Sequence, residues 1–116
     1  MLIKISGNNL AEVLKKAVAV LNDGGIFEYH KETFYGLGVK FDKEASLRKL
    51  YRLKKRPEKK PTPLIIGAKR ILKRITDEIN ETTSVLMKKF WPGPLTILLK
   101  AKKGLCIRII KFSCIP

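Results

Sequence analysis

The segment Phe90-Trp91-Pro92-Gly93-Pro94-Leu95-Thr96 constrains the fold of this chain more than any other. A proline lacks an amide donor, holds φ near about −65°, and pushes the residue before it out of helical geometry. A helix that reaches Phe90 must end at this corner, and an extended segment must follow it. Trp91 supplies the apolar mass that packs such a corner onto a core. Leu95 to Leu99 then reads as a strand, so helix and strand are joined within one compact stretch. The run Phe90 to Leu99 is also the longest without a charge, at ten residues. A membrane-spanning helix needs about twenty, so no transmembrane segment is expected.

The rest of the chain alternates in the same way. Leu2-Ile3-Lys4-Ile5 reads as a short strand. Asn8 or Asn9 is placed to cap a helix whose stripe is Leu10, Leu14, Ala17, Val18 and Leu21. Asn22-Asp23-Gly24-Gly25 stops it, because glycine takes the left-handed conformation that a helix C-terminus favours. Ile26 to Tyr29 reads as a strand and His30 to Gly38 as a loop. Asp42 is placed to cap a helix through Ala45, Leu50 and Leu53, which must stop near Arg56 because Pro57 follows. Pro57 to Pro63 reads as an exposed basic loop and Leu64-Ile65-Ile66 as a strand. Lys69 to Asn80 has helical spacing through Ile71, Leu72, Ile75 and Ile79. Thr82, Thr83 or Ser84 would cap the helix that ends at Pro92. Leu105 to Ile110 returns as a strand after a turn at Lys102-Lys103-Gly104. The expected class is α/β or α+β, a mixed parallel and antiparallel sheet with flanking helices. At 116 residues the chain is expected to form a single domain, 1–116.

Charge is distributed unevenly. Lys and Arg number 25 against 10 Asp and Glu, a net +15. Residues 1–42 carry five lysines and five acids, and the whole excess falls in residues 43–116. The densest stretch, Arg48 to Lys60, has eight basic residues and one acid. Such a field attracts polyanions: nucleic acid, nucleotide phosphates or anionic lipid. Cys106 and Cys114 are too few for a disulfide scaffold, and MLIKISGNNL lacks the apolar core of a signal peptide, so a cytoplasmic location is expected. No metal-ligand spacing stands out.

Two further segments carry chemistry. In Glu32-Thr33-Phe34-Tyr35-Gly36-Leu37-Gly38, the glycines would let a backbone approach a ligand closely, and Thr33 and Tyr35 offer hydroxyls. In Lys54-Lys55-Arg56-Pro57-Glu58-Lys59-Lys60-Pro61, Lys54 and Arg56 flank one residue at a helix end. They could converge on a phosphate or carboxylate, one as a mobile point charge and one as a planar fork. The alternative is a basic helix terminus that only complements the helix dipole. His30 reads as a surface imidazole.

In this order and spacing the segments resemble the YrdC family of threonylcarbamoyl-AMP synthases. That family's pattern opens with Gly-Gly and a strand, then Pro-Thr-Glu-Thr-x-Tyr-Gly-Leu-Gly. Here Gly24-Gly25 is followed by His30-Lys31-Glu32-Thr33-Phe34-Tyr35-Gly36-Leu37-Gly38. Lys-x-Arg-Pro and Lys-Pro are matched by Lys54, Arg56, Pro57, Lys60 and Pro61. Phe-Trp-Pro-Gly-Pro-Leu-Thr is matched without a gap by Phe90 to Thr96, and Arg108 stands for the arginine of a later Val-Arg-x-Pro strand.

The resemblance implies an enzyme that joins L-threonine, bicarbonate and ATP, with Mg2+, into threonylcarbamoyl-AMP and releases pyrophosphate, for threonylcarbamoyladenosine modification of tRNA. By carry-over, Lys54 and Arg56 would be the catalytic pair, holding nucleotide phosphates and the carbamate. Thr33 and Tyr35 would line the threonine pocket, Thr96 would shape the site, and Arg108 would meet a carboxylate. Lys59 and Lys60 would join Lys54 and Arg56 in binding nucleotide or RNA. No bound metal is assigned to protein side chains. Partners would be tRNA or double-stranded RNA, with other tRNA-modification proteins possible and no membrane.

The chain departs from the pattern in places. His30-Lys31 replaces Pro-Thr, and Lys55 replaces a small residue. The family's Ser-x-Asn segment, which follows the arginine strand, is not reached by Pro116, so a C-terminally truncated domain with an incomplete ATP site and marginal stability is expected. The alternatives to the enzyme reading are a non-catalytic module that binds tRNA or double-stranded RNA through its basic face, and an inactive relic.

Overall fold

The computed structural model describes residues 2–30 and 34–105, and the backbone of 109–114. They fall into two compact units, Met1–Arg56 and Pro57–Pro116.

In the first unit, residues 2–6 are irregular, not the strand expected of Leu2-Ile3-Lys4-Ile5. Alternation alone makes no strand without a partner to complete the ladder. Helix α1, Leu10–Asn22, starts directly after Asn9, but that side chain does not cap it. Asn9 Oδ1 instead accepts from the Ser6 amide at 2.7 Å, and its Nδ2 donates to the Lys4 carbonyl at 2.9 Å. Asn9 therefore folds the incoming loop. In the first turn, Glu12 pairs with Lys16 one turn on, at 2.9 Å, and that ammonium holds the carboxyl below its usual range. The expected apolar stripe is only partly covered: Leu10, Leu14 and Val18 are exposed.

The glycine stop behaves as expected. Gly24 has φ 81°, its amide donates to the Leu21 carbonyl, and the Gly25 amide donates to Val20. These two bonds form a Schellman motif. Strands β1, Phe27–His30, and β2, Tyr35–Gly38, pair antiparallel with Phe27 opposite Gly38 and Tyr29 opposite Gly36. The expected loop His30 to Gly38 thus contains a strand. Helix α2, Glu44–Leu53, has Lys43 rather than Asp42 at its N-cap position, with no side-chain cap bond. It buries Ser46, Leu47 and Leu50. The Ser46 hydroxyl donates to the Gly24 carbonyl at 2.9 Å, tying α2 to the exit of α1.

Among the described residues, the second unit is built on a three-stranded sheet. Strand β3, Thr62–Ile66, lies parallel to β5, Ile109–Cys114, and β4, Gly93–Lys100, lies antiparallel to β5 on its other side. Pro63 lies in β3, an outer strand of this sheet, where a missing amide is tolerated. The helical stretch expected over Lys69 to Asn80 is shorter: a 3₁₀ turn Lys69–Ile71 leads into one turn of α3, Leu72–Ile75. Thr76 then turns extended, with φ −142°. Its buried hydroxyl donates to the Lys100 carbonyl at 2.7 Å and accepts from the Glu78 amide at 3.0 Å. Helix α4, Glu81–Phe90, is capped by Asn80, whose side chain accepts from Thr83 N–H at 2.8 Å. Asn80 thus does the work expected of Thr82, Thr83 or Ser84. Ile66, Leu72, Ile75, Met87, Trp91, Ile97 and Leu99 make the core of this unit. The return strand lies later than the expected Leu105 to Ile110, and part of that span is outside the described residues.

Candidate functional site

The candidate residues divide between the two units. On the β1–β2 hairpin, the side chains of Phe27 and Tyr29 share one face, with ring centroids 5.7 Å apart and planes 12° from parallel. Gly36 and Gly38 lie opposite them. The other face carries Glu28, His30, Tyr35 and Leu37. Tyr35 is 66% exposed and meets His30 edge to face at 5.1 Å. Its hydroxyl group is thus on the open side of the hairpin, available to a ligand. The space above Gly36 and Gly38 is filled by Tyr29. At Gly36, where an added Cβ would come within 2.7 Å of Tyr29, this is a second reason for glycine, and it differs from close approach to a ligand. Thr33 lies outside the described residues.

Lys54 and Arg56 stand at the end of α2, where the chain makes a second Schellman motif. The Lys54 amide donates to Leu50, Lys55 to Arg52, and Arg56 to Tyr51, all at 3.0–3.1 Å. The left-handed position of this motif holds Lys55, at φ 48°, where glycine is the usual occupant. Lys54 and Lys55 are exposed, whereas Arg56 is half-buried with its Nε shielded from solvent. An arginine stem packed in this way loses less freedom when its fork takes up an anion.

In the second unit, Lys59 and Lys60 are exposed on the turn before β3, and the Lys60 amide closes the turn onto the Pro57 carbonyl at 3.0 Å. Lys54, Lys55 and Lys59 make no ion pair among the described residues. Thr96 lies on β4 with its side chain on the exposed face, alongside Leu98 and Lys100, while Ile97 and Leu99 point into the core. It follows the corner set by Trp91, whose Nε1 donates to the Leu95 carbonyl at 2.7 Å. Gly93 is required there because a methyl group would run into the Phe90 carbonyl oxygen. Arg108 lies outside the described residues. Among the described residues, no group of three or more His, Cys, Asp or Glu gathers as a metal-ligand set, and no helix is long and apolar enough to cross a membrane.

The sequence reading placed Tyr29 in a strand and noted Lys55, but it did not foresee that Tyr29 covers Gly36 or that Lys55 takes a left-handed turn. The signal for Tyr29 was an aromatic one residue before the end of β1, followed in the sequence by two spaced glycines, Gly36 and Gly38. For Lys55 the signal was the small residue that the family pattern has in its place, the usual occupant of a left-handed position.

Residues 19–112 match the Sua5/YciO/YrdC family model, "Telomere recombination". The match includes Arg108 and runs on to Phe112. The chain is 34% identical over 89 residues to threonylcarbamoyl-AMP synthase of Bacillus subtilis, covering 77% of this chain and 26% of that protein. It is 35% identical over 94 residues to threonylcarbamoyl-AMP synthase of Psychromonas ingrahamii, covering 79% and 49%. The crystal structure of P. abyssi Sua5 complexed with L-threonine superposes with a TM-score of 0.78 at 26% identity, covering 87% of this chain and 32% of that one. The chain belongs to the Sua5/YciO/YrdC family and has its mixed α/β fold. It spans a quarter to a half of the length of the curated relatives it matches.

Proposed function

We propose that this chain takes part in making threonylcarbamoyl-AMP from L-threonine, bicarbonate and ATP, with release of pyrophosphate, for threonylcarbamoyladenosine modification of tRNA. The observation that carries this reading is the family match over residues 19–112, which contains the three motif segments in order. The complex of P. abyssi Sua5 with L-threonine supports the choice of amino acid.

The chemistry suits the residue types. Bicarbonate condenses with the threonine amine to a carbamate, losing water. A carbamate oxygen then attacks the α-phosphorus, and the bond to the bridging oxygen breaks as pyrophosphate leaves. Several negative charges must be gathered and aligned, so the protein's work is positioning and charge neutralisation. Lys54 and Arg56 hold the phosphates and the carbamate. Thr33 and Tyr35 line the threonine pocket, Thr96 shapes the site, and Arg108 meets the substrate carboxylate. Lys59 and Lys60 add two more cations for nucleotide or RNA. The ATP phosphates would bring any magnesium with them, and its charge would help neutralise theirs without a dedicated carboxylate cage from this chain.

The test is pyrophosphate release by the purified chain with ATP, bicarbonate and magnesium, with and without L-threonine. Threonine-dependent release is expected. No release from a folded sample overturns the enzyme reading. The uneven charge, with the whole +15 in residues 43–116, favours one alternative, a module that binds tRNA or double-stranded RNA without catalysis. RNA affinity that falls steeply with salt, in a sample without release, would decide for it.

A further inference from the structure

We propose that Lys55 is a positioning residue whose left-handed backbone, rather than its charge, sets where Lys54 and Arg56 present their cations to a polyphosphate. This rests on the anion-binding role given to Lys54 and Arg56 above.

The argument starts from three backbone bonds. Lys54, Lys55 and Arg56 donate their amides to Leu50, Arg52 and Tyr51, so each is anchored to the last turn of α2. The bond from Arg56 reaches back five residues and exists only because Lys55 takes φ 48°. In an unbroken helix the residue after Lys55 would continue upward, roughly 100° further round the axis, and its amide would bond four residues back. The left-handed residue instead folds the chain back, so the Cα atoms of Lys54 and Arg56 are both fixed against the same helix end. Pro57 then holds the exit extended. Two cations set on such a corner start from fixed points, and less freedom is lost when they close on one ligand.

Lys55 is an unusual occupant for this place. Its side chain is exposed and makes no ion pair among the described residues. A side chain with a Cβ is disfavoured at positive φ, and a β-branched one more so. The corner is therefore held by its hydrogen bonds against a local preference, and the bulk at the Cβ of residue 55 sets how much that conformation costs. A charge role and a backbone role make opposite predictions for glycine here.

The experiment is calorimetric titration of the full chain with inorganic pyrophosphate, comparing K55G, K55A and K55V. All three lose the same charge. K55G is expected to bind about tenfold more tightly than K55V, with K55A between them, because left-handed geometry costs glycine least. Circular dichroism checks that each variant folds, and if K55V does not, the order of K55G over K55A decides. Equal weakening in all three means that Lys55 acts by charge and overturns the proposal. No change in any of them, or no pyrophosphate binding by the parent chain, also overturns it. Threonine-dependent pyrophosphate release by the parent is measured in parallel, so the enzyme reading can fail while the order of affinities stands, or stand while that order fails.

Discussion

The ring of Tyr29 lies over Gly36, its partner across the hairpin: a methyl group on Gly36 would come within 2.7 Å of Tyr29 Cζ and 3.0 Å of its hydroxyl. Gly38 is less crowded, with Tyr29 Cε1 at 3.6 Å from the same added atom. The two glycines thus differ in what they do. Gly36 makes room for a cross-strand ring, a known way to cover glycine in a strand.

G36A is therefore expected to cost about 1 kcal/mol or more of stability, and G38A less, because only the first forces the ring to move. Phe27, stacked on Tyr29, limits how far the ring can swing. Urea unfolding of the two variants checks the order. In a Y29A background the penalty of G36A should shrink by about 0.5 kcal/mol or more, the coupling expected of residues in contact.

The corner at residues 90–96 yields a sharper expectation. The added methyl of G93A meets the backbone oxygen of Phe90, which cannot rotate away. G93A should cost about 2–3 kcal/mol, at the upper end of overpacking. W91F keeps an aromatic in the core but leaves the Leu95 carbonyl without the indole donor it has at 2.7 Å. Its cost should be about 1–3 kcal/mol, the range for an abandoned buried partner. Thermal or urea unfolding measures both, and a G93A variant as stable as the parent would refute the role given to Gly93.

Much of this fold was legible because its stops are local. Gly24 and Pro92 end α1 and α4 through the backbone preferences of single residues, and both ends stand where the sequence puts them. The failures come from partners far along the chain. Thr76 leaves the helix because its hydroxyl meets the Lys100 carbonyl, 24 residues on. Strand β2 forms across two glycines because Tyr29 covers them. Asn9 turns its side chain back to Lys4 and Ser6 instead of capping α1. At the candidate site, the motif segments that hold Lys54, Arg56, Tyr35 and Thr96 were legible in the sequence. The left-handed turn at Lys55 was not, because no rule of composition marks a lysine for that conformation.

Thr76 provides a direct test of long-range control over helix length. T76V keeps the shape but removes both hydrogen bonds of a hydroxyl that is nearly inaccessible, at 1% exposure. The Lys100 carbonyl and the Glu78 amide then lose their partner. The expected loss is about 1–3 kcal/mol. T76S, which retains the hydroxyl, should recover most of it. Equal stability of T76V and the parent would show that solvent replaces both bonds.

Lys54 and Arg56 can be separated from Lys59 and Lys60 by what each pair does to different ligands. K54A/R56A is expected to lower pyrophosphate affinity by at least about tenfold, since each charge-assisted bond is worth about 1.5 kcal/mol or more. Because Arg56 is half-buried, part of any stability change would come from lost packing of its stem. R56K controls for this: it keeps the charge, loses the planar fork, and should bind less tightly than the parent while folding normally. K59A/K60A should leave pyrophosphate binding nearly intact but lower the salt slope of RNA binding by about 1.5, the share of two phosphate contacts. Calorimetry with pyrophosphate and RNA binding at several salt concentrations measure the two effects. If both double variants act equally on both ligands, the basic surface is one undivided field, and the assignment of a discrete anion site to Lys54 and Arg56 is wrong.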